Sequence, residues 1–230
     1  KCLFGTYQKD DGVVILDGKE VNFSGPKDAL ENGIAMVHQE LNQCLERSVV
    51  DNLFLGRCPV NSLGIVDEAR MRKEASELFR KLGMTINLTQ PMGKMSVSQR
   101  QMCEIAKAIS YNSKVIVLDE PTAMLDPNGR KEVMETIHHL NKEENITIIH
   151  ITHFMEEAIH ADRVYVMDHG KIVMQGTPRE IFPRVEELKA LGLDVPHMTE
   201  LAYLLNKEGM NIPTDTLSIE EMVGALCQLK

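Results

Sequence analysis

No two of the five cysteines, Cys2, Cys44, Cys58, Cys103 and Cys227, stand at C-x-x-C spacing. Their odd number and irregular spacing argue against a disulfide framework or a zinc site and for a reducing cytoplasm. Basic residues are in the minority: 25 Lys and Arg against 34 Asp and Glu leave a net charge of -9, so no overall field draws in nucleic acid or an anionic membrane surface. No apolar run is long enough to span a bilayer, and the first residues lack the basic-then-apolar order of a secretory signal. Any membrane association is therefore expected to come through a partner. There is no internal repeat and no low-complexity tract. The first residue is Lys1 rather than Met, which reads as a truncated or processed start.

What is present suffices for a core. With 43% hydrophobic residues in 230, the chain can fold as one larger domain or as a domain with an appendage. VVILDGKEV at 13 to 21 brackets Asp17-Gly18 with β-forming residues, a pairing that predicts a hairpin. A short apolar strand at 34 to 37 runs into His38-Gln39-Glu40. From 67 to 82, Met71, Ala75, Leu78, Phe79 and Leu82 recur at helical spacing among charges, which predicts an amphipathic helix. A second helix is expected over 98 to 110, then a fully buried strand at 114 to 118, because its apolar run is continuous rather than alternating. The pattern continues as helix 128 to 142, strand 146 to 151, helix 154 to 160, strand 163 to 168 and a turn at His169-Gly170. Alternating strands and helices imply an α/β fold with a largely parallel sheet. Beyond Pro178 the periodicity is helical throughout, near 184 to 191, 198 to 208 and 218 to 228. We read residues 1–183 as one domain, with a helical subdomain over about 42–112, and 184–230 as a small helical appendage.

The segment VIVLDEPTAMLD, 115 to 126, carries the chemistry. In a parallel α/β sheet, ligands gather outside the carboxyl ends of the strands, and Asp119 and Glu120 fall at that edge. One acid there can hold Mg²⁺ and its neighbour can orient or deprotonate a water. The alternative, two acids capping the turn that follows, stays open on these residues alone. His138, His139, His150 and His160 invite a metal reading, but they fall on different predicted elements without a ligand motif.

Four pieces in a fixed order extend the case. They are Gln39 in AMVHQELN, the run MSVSQRQ at 95 to 101, VIVLDEPT, and His153 after ITIIHIT. In this order the chain resembles the nucleotide-binding domains of ATP-binding-cassette (ABC) transporters, with a P-loop NTPase-like fold. The resemblance implies that Gln39 is the loop glutamine joining the metal site to a transmembrane partner, and that Ser96, Ser98 and Gln99 form the signature loop. It also implies that Asp119 is a metal ligand together with Gln39, Glu120 the catalytic acid and His153 the switch histidine. Asp126 would then line a dimer interface. ATP and Mg²⁺ are the implied cofactors, a second ABC domain and transmembrane permease subunits the implied partners, and the cytoplasmic face of a bacterial plasma membrane the implied location. A helix N-terminus offers free N–H groups to a phosphate, so the start of the helix at 98 suits that role, although an ordinary serine cap has the same composition.

One expected piece is missing from the sequence. Phosphate cradles of this class read G-x-x-x-x-G-K-[ST], and no match occurs; the Gly-Lys pairs at 18, 93 and 170 lack the upstream glycine. In the resemblance, KCLFGTYQKDDG corresponds to the end of the helix after that loop, so the chain is expected to be incomplete at the N-terminus. Its sheet is then expected to expose an edge, and the isolated chain to be unstable and to bind ATP poorly. Residues 1 to about 113 resemble the galactose and ribose importer ATPases. From about 122 onward, AMLDPNGRKEV, HGKIVMQGTPREIF and LGLDVPHMTELAYLL resemble the energy-coupling-factor ATPases, which suggests a hybrid. Two functions remain: an ATP-hydrolysing importer subunit, for a monosaccharide or for a vitamin or metal ion, or a catalytically inactive fragment or hybrid that serves as a regulatory module.

Overall fold

Asp17 and Gly18 both take up left-handed backbone, φ 51° and 75°, the pair of positive φ values that a two-residue hairpin turn needs. They fold β1 (Val14–Leu16) onto β2 (Lys19–Val21) with Leu16 opposite Lys19. This and all that follows come from a computed structural model that describes residues 1–228. The chain divides into two compact units, Lys1–Ile151 and Thr152–Lys230.

In the first unit, α1 (Pro26–Glu31) leads into a sheet of three parallel strands, β3 (Ile34–Val37), β4 (Val115–Asp119) and β5 (Thr147–Ile151), in the order β3-β4-β5. Helices fill the intervals: α2 (Val49–Leu53), α3 (Glu68–Lys81), α4 (Val97–Ile109) and α5 (Pro127–Lys142). The predicted periodicity of α3 is realised: Met71, Ala75 and Phe79 are its buried residues, Asp67 caps the start by accepting from the Arg70 N–H, and Arg80 and Lys81 face the negative end of the dipole. Ala35, Val37, Ile116 and Leu118 from the sheet pack with Ile105 of α4 and with Val133, Ile137 and Leu140 of α5 in one core. Each such aliphatic side chain contributes about 1.5–3 kcal/mol of transfer free energy when fully buried.

The strands differ in how far they are covered. Residues 116–118 of β4 are buried, as its continuous apolar run predicts. In β5 the burial alternates, leaving Ile149 41% and Ile151 47% exposed. Among the described residues β5 pairs with β4 alone, so it closes the sheet on that side with two isoleucines exposed.

The second unit opens on α6 (Met155–Ala158), shorter than the predicted 154 to 160 because Ala161 closes a turn on the Ala158 carbonyl. The strand expected at 163 to 168 forms as β6 (Val164–Asp168), but it pairs antiparallel with β7 (Lys171–Gly176), which sequence reading stopped short of. The reason lies in His169 and Gly170: at φ 45° and 76° they make a second two-residue hairpin turn rather than a crossover. The rest is helical, as the periodicity predicts: α7 (Pro178–Ile181), α8 (Val185–Ala190), α9 (His197–Lys207) and α10 (Ile219–Gln228). Val166 and Met174 of the hairpin pack with Ile181, Phe182 and Leu188, while Ala202, Ile212 and Met222 form a smaller core between α9 and α10. Arg179 of α7 joins these layers, donating to Glu221 at 2.5 Å and to the Asp215 carbonyl at 3.0 Å.

Candidate functional site

Parallel pairing brings the carboxyl ends of the three strands to one edge. Val37 stands opposite Leu118, and Asp119 opposite Ile151, which is where α/β sheets of this kind place their ligands. Gln39 lies just past β3, Asp119 closes β4 and Glu120 follows it. Gln39 Nε2 donates to Glu120 Oε2 at 3.0 Å, across 81 residues of sequence. Gln39 thus reaches the second acid of the pair, an amide presented to a carboxylate where a polarised water or cation would be bound.

Glu120 sits in the left-handed region, φ 46°, immediately before Pro121. For a residue with a Cβ this costs of order 1–3 kcal/mol, and such strain concentrates at functional positions. The surroundings hold it there: the Glu120 N–H donates to the Ile151 carbonyl at 3.0 Å, continuing the β4–β5 ladder one step past Asp119. The Ala123 N–H donates to the Glu120 carbonyl and the Leu125 N–H to that of Thr122, which is fully buried. The pair of acids is therefore divided by the backbone. Asp119 keeps strand geometry, and Glu120 is turned toward the loop that carries Gln39.

A second group assembles at the starts of α4 and α5. Ser96 and Gln99 form a reciprocal capping box: the Gln99 N–H donates to Ser96 Oγ at 3.2 Å and the Ser96 N–H to Gln99 Oε1 at 3.1 Å. The Ser96 and Ser98 hydroxyls lie 3.0 Å apart. Asp126 caps α5, its Oδ1 accepting from the Gly129 N–H at 2.9 Å. Gly129 is what the sequence reading missed. A Cβ built there would stand 2.8 Å from Ser98 Cβ and 2.8 Å from Asp126 Oδ1, so the two helix starts touch at a point with no room for a side chain. A glycine inside the first turn of a helix, where it costs roughly 1 kcal/mol against alanine, was the available signal.

His153 belongs to the second unit, exposed, its ring 4.2 Å from that of Phe154. The remaining chemistry is sparse. Burial, with Glu104 adding to it, pushes the Cys103 thiol up to about 12, which leaves it protonated and unreactive at neutral pH. Among the described residues no group of three or more His, Cys, Asp or Glu side chains could hold a metal by itself. The oxygen donors Asp119, Glu120 and Gln39 fit a hard cation that takes one or two carboxylates and completes its shell with water and phosphate oxygens, as Mg²⁺ does. They do not fit a zinc or redox centre.

A parallel sheet with acids at its carboxyl edge, a glutamine reaching across to them and a capped helix start defines an α/β domain of the phosphate-handling class. The family model described as "ABC transporter" matches residues 1–123, so the chain belongs to the ABC transporter family, as an ATP-binding domain. It is 50% identical over 188 residues to the energy-coupling factor transporter ATP-binding protein EcfA1 of Clostridioides difficile (strain 630), covering 82% of this chain and 66% of the relative. It is 52% identical over 175 residues to the galactose/methyl galactoside import ATP-binding protein MglA of Treponema denticola, covering 76% of this chain and 35% of that one. Among solved structures, cbiO1 from Clostridium perfringens, described as part of the ABC transporter complex cbiONQ, superposes with a TM-score of 0.69 at 29% identity, over 89% of this chain and 80% of its own. Both resemblances expected from the sequence are found. At 188 and 175 residues each runs past the region of 113 to 122 where one was expected to give way to the other. The chain spans about two thirds of the first relative's length and about one third of the second's.

Proposed function

We propose that this chain is the ATP-binding subunit of an ABC importer, working as a pair of such domains beneath transmembrane permease subunits on the cytoplasmic side of a bacterial membrane. The observation that carries the proposal is the Gln39–Glu120 hydrogen bond at the carboxyl edge of the sheet, beside Asp119. Asp119 would hold Mg²⁺ with Gln39, and the cation would neutralise charge on the phosphate oxygens. Glu120, aimed by its left-handed backbone and by the Gln39 amide, would accept a proton from the attacking water. The start of α4, with Ser96, Ser98 and Gln99, would present N–H and hydroxyl donors to a γ-phosphate held by the second domain, while Asp126 lines the surface between the two. His153, in the second unit, would serve as the switch histidine that donates to a γ-phosphate, a role separate from that of the α4 start. Residues 1–183 would form the ATPase-type domain and 184–230 its helical appendage. Among the described residues no helix is long and apolar enough to cross a membrane. The names of the relatives support two cargo classes: a monosaccharide such as galactose or methyl galactoside, as MglA is named for, or the solute of an energy-coupling factor system.

A second reading, an inactive or regulatory module that lends its helix start to another ATPase, is favoured by the lack of any G-x-x-x-x-G-K-[ST] match in these 230 residues. Steady-state ATP hydrolysis by the purified chain separates the two. The first reading expects Mg²⁺-dependent turnover that Glu120→Gln lowers by roughly 10²-fold or more, the scale on which general-base catalysis acts. Turnover indistinguishable from a protein-free blank, in both the parent chain and the variant, overturns it in favour of the second.

A further inference from the structure

The two groups of candidate residues in the first unit are joined by a side chain that neither group includes. Four residues after Gln39, the Gln43 side chain crosses to α4 and its Nε2 donates to the Arg100 carbonyl at 2.8 Å. Arg100 lies one turn inside the helix, and its own N–H donates to the Ser96 carbonyl at 3.0 Å. The loop beyond Gln43 is pinned from below. Asn52, 5% exposed, donates from Nδ2 to the Cys44 and Ser48 carbonyls at 3.0 Å each and accepts the Cys44 N–H on Oδ1 at 2.8 Å. The Met92 and Gly93 N–H groups hold the Arg47 and Leu45 carbonyls at 2.9 Å. Residues 44–48 are thus fixed from several sides. The segment 40–42 between Gln39 and Gln43 takes no part in these bonds; among the described residues it carries one internal hydrogen bond, Asn42 Nδ2 to the Glu40 carbonyl at 3.5 Å, and is tied to the sheet edge and to α4 by the side chains at its two ends.

We propose that Gln43 is a positioning residue. It transmits the making or breaking of the Gln39–Glu120 contact to the first turns of α4, and so sets the attitude of Ser96 and Ser98. The functional meaning rests on assigning both groups to phosphate sites, as above; the mechanical claim does not. A displacement of Gln39 meets a held segment at Cys44 and has a lateral outlet in the 2.8 Å bond from Gln43 to Arg100. A second path exists through the backbone from Glu120 to Asp126 and the Gly129–Ser98 contact, and the test must tell them apart.

The Gln43 Oε1 is buried and accepts no hydrogen bond among the described residues. Gln43→Met therefore removes one hydrogen bond together with one orphaned acceptor, and the fold should tolerate it. The experiment is amide hydrogen exchange of the full chain without nucleotide, in four forms: parent, Gln39→Leu, Gln43→Met and the double variant. Gln39→Leu is expected to speed exchange at residues 100–104 by roughly threefold to tenfold, the factor set by one net hydrogen bond. In the Gln43→Met background the same change should leave those amides within about twofold, since the link is already cut. Equal acceleration in both backgrounds, which would route the coupling through residues 120–129, overturns the proposal, as does no acceleration in either. Gln43→Leu, which keeps most of the volume and cannot donate, serves if the methionine variant does not fold. Because no nucleotide is present, coupling observed in a chain that fails to hydrolyse ATP would reject the proposed function and keep the role of Gln43.

Discussion

Replacing Gly129 by alanine sets two effects of opposite sign against each other. Helix propensity alone makes the substitution stabilising by about 1 kcal/mol, since Gly129 lies in the first turn of a 16-residue helix. The structure reverses that expectation. The new Cβ would lie 2.8 Å from Ser98 Cβ, whereas carbons pack at about 3.5–4.0 Å, so the start of α4 or α5 must move by roughly an ångström. Overpacking of this kind costs about 1–3 kcal/mol. The same Cβ would stand 2.8 Å from Asp126 Oδ1, the atom that accepts the Gly129 N–H, and loss of that cap costs about 1 kcal/mol more. The net is a destabilisation of about 1–3 kcal/mol. Urea unfolding followed by far-ultraviolet circular dichroism should show a lower midpoint at unchanged slope. Adding Ser98→Gly should recover part of the loss, because it removes one of the two colliding atoms. A midpoint equal to or above that of the parent chain would refute the packing argument and leave propensity in charge.

Two further outcomes follow from the same structure. The Glu221 carboxyl is held below its ordinary value of 4.5, first by the hydrogen bond from Arg179 and then by the Leu217 N–H. A depressed carboxylate pKa means that its contribution is present above the unfolded value and lost as pH falls through the folded one. Exchange protection of α10, corrected for intrinsic rates, should therefore be full near neutrality and fall once the pH drops below about 4.5; unchanged protection at about pH 3 would deny Arg179–Glu221 its anchoring role. On the edge strand β5, Ile149→Lys should lower concentration-dependent self-association measured by light scattering, since a charge in place of an exposed isoleucine on an edge strand blocks edge-to-edge pairing. Undiminished association would mean that this edge is not where copies meet.

Sequence carried far in the first unit because its signals are local and periodic. The Met71, Ala75, Phe79 spacing defined α3, Asp17-Gly18 defined the hairpin, and the apolar run before Asp119 defined a strand buried at its centre. It carried less where a tertiary choice decides the outcome. The turn at His169-Gly170 was legible, but the strand β7 beyond it was not, so strand 163 to 168 read as one more parallel strand when it is half of an antiparallel hairpin. At the site, the order of Gln39, Ser96, Asp119, Glu120, Asp126 and His153 was visible through resemblance, and Gln39 does meet Glu120. What could not be read was how neighbours divide the work. Nothing in the letters Asp-Glu says that the second acid turns into left-handed backbone while the first stays in the strand. Gln43 and Asn52 act on backbone carbonyls of other segments and Gly129 by leaving room for the Ser98 side chain, and such contacts leave no periodic trace.

The central claim, that the carboxyl edge of the β3-β4-β5 sheet is the metal half of a phosphate site, is met most directly by paramagnetic relaxation. Mn²⁺ complexed with ATP is titrated into the isotope-labelled chain and amide broadening is read residue by residue, a measurement that registers weak, millimolar association as well as tight binding. The account predicts broadening concentrated at residues 37–40 and 118–121, and reduced when Asp119 is changed to Asn. Broadening spread over the acidic surface at large, or absent from those two segments while the protein remains folded, would contradict it.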